Sequence, residues 1–142
     1  GTGTRARRPR ATGPVRSELD QLLTLAAKVA STVQAKFDKK AAQAPPCSLR
    51  TKPVRSDCEC QFPSAAATMS AAARTYLDAR DSAGSSLYGI MEKQVDTGMI
   101  YSGLELPSDI KAGAYLGYLV GSYYLTSHGY EDAADASATP TP

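Results

Sequence analysis

The stretch "KAGAYLGYLVGSYYLTSHGY", residues 111–130, decides how the chain is read. Gly113, Gly117 and Gly121 stand four apart among tyrosines and leucines. Glycine costs a helix about 1 kcal/mol relative to alanine at each position. Three in register make sense only if the flat strip they form is covered, so that another helix approaches closely and gains van der Waals and Cα–H···O contacts. The strip therefore reads as a helix-docking face, and the neighbour expected on it is another subunit.

No Asp, Glu, Lys or Arg occurs in the sixteen residues between Lys111 and His128. Leu116, Leu119, Val120 and Leu125 point different ways, and a helix apolar all round is buried in protein or in lipid. Residues 109–127 would span about 28 Å at 1.5 Å per residue, close to the hydrocarbon thickness of a bilayer. Tyr, Ser, Thr and Gly dilute the hydropathy of the span. Two expectations stay open, a last helix embedded in a membrane among partner proteins and the central helix of a soluble bundle.

The rest of the chain reads as all-α. It has 142 residues, enough for one domain with a real core. The expected fold is a small body of three to four helices, with a long Pro/Cys loop and extended termini that order on a partner. Ser17 opens the first helix as an N-cap, with Asp20 reaching back. Leu19, Leu22, Leu23, Ala26, Val29, Ala30, Val33 and Phe37 then form one apolar stripe over about residues 18–43. Pro45 and Pro46 end it. Ser64 caps a second helix, 64–97, whose expected face is Met69, Ala72, Ala73, Tyr76, Ala83, Leu87, Ile90, Met91 and Val95. The poor helix formers "DSAGSS" at 81–86 break or kink it, and Gly98 stops it. Ser108 caps the last helix, 109–127, and Gly129 terminates it. These bounds divide the chain into a basic arm 1–16, a helical domain 17–129 and an acidic tail 130–142.

Charge follows the same division. The net charge is only +2, too small for the whole chain to bind polyanions. Arg5, Arg7, Arg8, Arg10 and Arg16 form an acid-free arm, an electrostatic strap for an acidic partner, lipid headgroups or RNA. Glu131, Asp132 and Asp135 make the tail acidic. The Arg-rich start has the character of a processed organellar precursor.

Cys47, Cys58 and Cys60 all lie in the 44–63 loop. Their C-x10-C-x-C spacing lacks the paired C-x2-C pattern of structural zinc, and no metal site is expected. A disulfide from Cys47 to Cys58 or Cys60 would close a short loop, contributing about 2–3 kcal/mol, and would place the loop in an oxidising compartment. His128 is the sole histidine. At a helix end it reads as a capping residue, or more sharply as an axial ligand to a pigment or haem at a membrane edge. Paired carboxylates, a phosphate loop and a nucleotide fingerprint are missing from the sequence.

The functional expectation is a non-catalytic accessory subunit of a large membrane-associated organellar complex. A photosystem of the plastid thylakoid is preferred, with a mitochondrial respiratory complex as the other host. Protein subunits are the expected partners, with a membrane nearby and pigment contact open. No cofactor is required. The competing reading is an RNA-associated subunit of an organellar ribosome, bound through "RARRPR" with a salt-dependent affinity. The acidic tail speaks against it.

Overall fold

The structure, a computed structural model, describes residues 13–38, 62–101 and 105–130. Four α-helices and no strands occur among these residues: α1 (Gly13–Asp38), α2 (Ala65–Arg80), α3 (Ser85–Tyr101) and α4 (Pro107–Ser127). A 3-10 turn, Ser82–Gly84, separates α2 from α3, within the stretch where the sequence predicts a break. The Cys47, Cys58 and Cys60 loop, Arg5, Arg7, Arg8, Arg10 and the acidic tail lie outside the described residues.

Helix α2 is the hub, and α1, α3 and α4 all pack on it. Its most extensive contact is with α4. The two helices run parallel, since Gly113, Gly117 and Gly121 meet Ser64, Thr68 and Ala72 in the same order. The glycine strip thus has its covering helix inside the same chain. A Cβ on Gly113 would run into the Ser64 carbonyl oxygen, and one on Gly117 into the Thr68 carbonyl oxygen and the Ala71 side chain. At Gly121 it would stand 2.9 Å from the Thr75 Cβ. The facing side of α2 is built from Ser64, Ala67, Thr68, Ala71, Ala72 and Thr75, all buried. Its hydroxyls are satisfied within α2 itself: Thr68 donates to the Ser64 carbonyl (2.7 Å) and Thr75 to the Ala71 carbonyl (2.8 Å). The seam therefore brings two backbones together without stranding a polar group.

Helix α1 runs antiparallel to α2 and closes the core. Leu22, Ala26, Ala72, Tyr76, Val120, Tyr124 and Leu125 are its buried centre. One end of α1 is pinned where Gln34 Nε2 donates to the Pro63 carbonyl (2.8 Å) and Phe37 meets Phe62 edge-on at 4.9 Å. The other end is held by a polar clasp. Tyr76 and Tyr130 donate their hydroxyls to the two oxygens of Glu18, at 2.6 and 2.9 Å. The Arg80 guanidinium lies 4.0 Å over the Tyr130 ring, and Tyr124 donates to Gln21 Oε1 (2.8 Å). Burial alone would raise the Glu18 pKa. The two tyrosine hydrogen bonds and the Arg80 charge outweigh it and hold the carboxyl below its usual value. Burial, and then the Glu18 carboxylate, push the Tyr76 phenol well above its ordinary value.

Several helix ends follow local chemistry, whereas the starts expected at Ser17 and Ser108 do not hold. Ser64 caps α2, accepting the Ala67 N–H at 2.9 Å. After α4, Gly129 adopts φ +80°, with Gly129 N–H bonded to Thr126 O and Tyr130 N–H to Leu125 O. That pair of bonds is a Schellman stop, which delivers Tyr130 to the clasp. Ser17, however, lies inside α1, because the helix already begins at Gly13 with Pro14 in its first turn, where the missing N–H is harmless. Ser108 likewise lies inside α4. Leu106 is the N-cap, Pro107 follows, and Asp109 Oδ2 accepts the Leu106 N–H at 2.9 Å.

The expectation of a membrane-embedded last helix fails on hydropathy. Among the described residues no helix is long and apolar enough to cross a membrane. Nor is α4 buried all round. Its inner side, with Ile110, the three glycines, Val120, Tyr124 and Leu125, is covered, whereas Tyr115 and Tyr123 are each 66% exposed.

Gly117→Ala is expected to destabilise the fold by about 1–3 kcal/mol through overpacking, despite alanine's better helix propensity. Gly98→Ala, where a Cβ meets nothing within 4 Å, should stabilise by up to about 1 kcal/mol. Denaturant unfolding of both variants checks this, and equal signs would contradict the packing described. In the clasp, Glu18 contributes stability above its unfolded pKa, and this is lost as pH falls through the folded value. Glu18→Gln should therefore flatten the acid-side loss of stability below about pH 4.5 in a pH series of thermal melts.

Candidate docking surfaces

The glycine strip was the sequence's docking face, and in the fold it is occupied. Gly113, Gly117 and Gly121 are buried against α2. This corrects the expectation of a neighbouring subunit on that strip: the same small residues that admit a helix have admitted the chain's own.

Beyond Lys111 near its start, the outward side of α4 is aromatic and uncharged. Tyr115, Tyr118, Leu119 and Tyr123 are exposed, at helical steps of three and four, so they share one face. Tyrosine-rich, charge-free patches are the composition of interface cores.

Helix α3 presents a second face, and it is inverted. None of its residues is buried. Leu87, Ile90, Met91 and Val95 are 56%, 54%, 52% and 41% exposed, and Tyr101 is 84% exposed. Leu87, Ile90, Met91 and Val95 are expected from the sequence to continue the α2 core face. The reading fails because α3 does not continue α2: after the 3-10 turn at Ser82–Gly84 it folds back along α2, with Gly89 and Glu92 against Arg74, and the stripe faces outward. The acids go inward instead. Arg74 on α2 bonds Asp78 at 2.9 Å and reaches Glu92 on α3 at 3.0 Å. The Glu92 hydrogen bond is the main reason the Arg74 pKa is raised. Arg74 also closes over Gly89, where a Cβ would stand 3.2 Å from its Nη2. Asp96 Oδ1 is buried with no hydrogen-bond partner among the described residues. Burial, with Glu92 nearby, pushes the Asp96 carboxyl up to about 6. Gly98, expected to stop this helix, lies within it, and α3 continues to Tyr101.

The remaining sequence candidates divide. His128 is the C-cap of α4. Its Nδ1–H donates to the Tyr124 carbonyl at 3.0 Å, and its ring stacks on Tyr124 at 3.9 Å. This is the capping arrangement. Arg16, assigned to the arm, is an exposed residue of α1. The other four arginines of the strap and the three cysteines fall outside the described residues. No group of three or more His, Cys, Asp or Glu that could hold a metal occurs among the described residues.

No protein-family model matches the chain, and no curated protein or solved structure matches it.

Sequence reasoning missed the α3 face. The available signal was Glu92 and Asp96, four apart and on the side away from Leu87 and Ile90. Periodicity shows such a stripe but does not say which side is covered. The inward acid also has a pH signature. The folded chain keeps the Asp96 proton up to about pH 6, while the unfolded carboxyl releases it near 3.8. This contribution therefore weakens stability as pH rises through that window. Asp96→Asn should stabilise the protein at pH 8, by on the order of 1 kcal/mol after solvent screening, and much less at pH 4. Thermal melts at the two pH values test it, and a variant no more stable than wild type at pH 8 would refute it.

Proposed function

We propose that this chain is a non-catalytic accessory subunit that docks onto a larger protein assembly. The observation carrying the reading is the arrangement of its exposed apolar residues. Apart from Phe37 on α1 and Ile100, they gather on the outer faces of α3 and α4. Single exposed hydrophobics need no explanation, whereas ordered apolar faces mark contact surfaces. Neither face is basic. Lys93 is the sole cation of α3, and α4 carries only Lys111 near its start, so both suit protein better than phosphate.

The host in this reading is the organellar, membrane-associated complex expected from the sequence, with a photosystem preferred. Its support is the arginine-rich start and the tyrosine-rich last helix. With no spanning helix among the described residues, the docking proposed is onto protein at the membrane. The reading requires no cofactor.

In native extracts of the source cells, the chain should migrate in a particle far heavier than its own 14.9 kDa. The double variant Tyr115→Ser, Tyr123→Ser should lose about tenfold or more in occupancy, equivalent to about 1.4 kcal/mol. Its melting temperature should stay nearly unchanged, since both rings are mostly exposed. Migration of the wild-type chain as a monomer in those extracts would overturn the proposal.

A further inference from the structure

We infer that α3 is a releasable arm: it lets go of α2 as a unit, about the Ser82–Gly84 turn, while α1, α2 and α4 stay folded, and rising pH favours its release. Release is a property of the chain alone and does not depend on the docking reading. No residue of α3 is buried, whereas α1, α2 and α4 supply the buried centre, Leu22, Ala26, Ala72, Tyr76, Val120, Tyr124 and Leu125. Local opening is easiest where few buried apolar contacts are lost. The 3-10 turn is a ready pivot, since none of its three residues is buried.

What holds α3 to α2 is polar. Arg74 Nη1 donates to Glu92 at 3.0 Å, and Gly89 lies under the same guanidinium. Arg74 Nε also donates to Asp78 at 2.9 Å. One cation thus already serves two carboxylates where Asp96 enters as a further acid. Asp96 stands four residues after Glu92, one turn further along the interface. Since α3 runs back along α2, that turn lies beside the part of α2 preceding Arg74, and Ala65–Ala73 contain no charged residue. From the start of α4 come two more acids, Glu105, whose N–H bonds Met99 O at 3.4 Å, and Asp109, whose Oδ2 accepts the Leu106 N–H. At the pivot, Asp81 accepts the Tyr88 hydroxyl at 2.7 Å. Lys93 is exposed and moves with α3. Asp96 Oδ1 is buried with no hydrogen-bond partner among the described residues.

This interface gives release its direction with pH. Burial, and then the Glu92 charge, hold the docked Asp96 carboxyl up to about 6, against 3.8 in water. Glu92 leaves on the same helix, so burial is the cause that release relieves. The docked form therefore binds more protons than the released form between these two values. Docking is at full strength below pH 3.8, weakens as pH rises to about 6, and changes little above it. Across the whole shift, linkage would make release about tenfold more frequent at pH 7 than at pH 5. Solvent screening at this half-exposed site lowers the change to about threefold or more.

Amide hydrogen exchange of the purified full chain tests this, read by mass spectrometry at pH 5 and pH 7 and corrected for the intrinsic pH dependence of exchange. Amides of α3 should open about tenfold or more often than those in the middle of α2 and α4. Their opening should be about three- to tenfold more frequent at pH 7 than at pH 5, a change that α2 and α4 do not share. Asp96→Asn should remove the pH dependence of α3 and leave exchange in α2 and α4 nearly unchanged. Glu92→Gln, which weakens the tie to Arg74, should raise α3 opening at both pH values. Exchange of α3 at the same opening frequency as α2 and α4 would show one cooperative unit and overturn the releasable arm. A pH dependence of α3 that survives Asp96→Asn would overturn its control by pH.

Discussion

Helices α2 and α4 meet backbone to backbone, where Gly113, Gly117 and Gly121 of α4 lie on Ser64, Thr68 and Ala72 of α2. Three glycines forgo about 3 kcal/mol of helix propensity relative to alanine. The return is a helix pair with no side chain between its backbones on one side, where many weak dispersion contacts accumulate. The geometry tolerates little displacement, because the atoms met first are carbonyl oxygens and a Cβ rather than the ends of flexible side chains. With α4 fixed so closely on α2, the direction of every other α4 residue follows. Val120, Tyr124 and Leu125 turn to the core, and Tyr115 and Tyr123 turn away from it.

A second constraint works at the end of the bundle that holds the last described residues. Glu18 collects the hydroxyls of Tyr76 and Tyr130, and Arg80 covers Tyr130. The Tyr76 side chain is fully buried, and a buried phenol needs an acceptor. A carboxylate supplies a charge-assisted one. The clasp thereby joins α1, α2 and the residue following the Schellman stop, three parts of the chain that helix propensity alone would leave independent.

Helix α3 obeys neither constraint. It is attached to α2 through Arg74 and through a short 3-10 turn, and contributes no residue to the buried core. The turn matters because it sends α3 back along α2, so that Glu92 meets Arg74 and the apolar stripe is left on the far side. Tyr76 lies before the interruption and is buried, while Leu87 and Met91 lie after it and are exposed. A surface that is expendable for the core is free to serve contacts outside the chain.

Several features were legible in the residues because their causes are local. The Ser64 cap, the break in "DSAGSS", the stop at Gly129 and the α1 positions Leu22, Ala26 and Ala30 depend on neighbours within a turn or two. The need to cover the glycine strip was equally plain, since uncovered glycine only weakens a helix. Which surface would cover it was not, because Ser64, Ala67, Thr68, Ala71 and Ala72 look like an ordinary alanine-rich helix until α4 is laid along them. The clasp was hidden for the same reason, as Glu18 and Tyr130 are 112 positions apart. Composition and period thus determined that there are helices, where several of them end and which strip must be covered. Long-range packing alone assigned that strip to α2, gave Glu18 its partners and left the α3 stripe facing out, because these outcomes depend on contacts between residues distant in the chain and on the phase set by a turn.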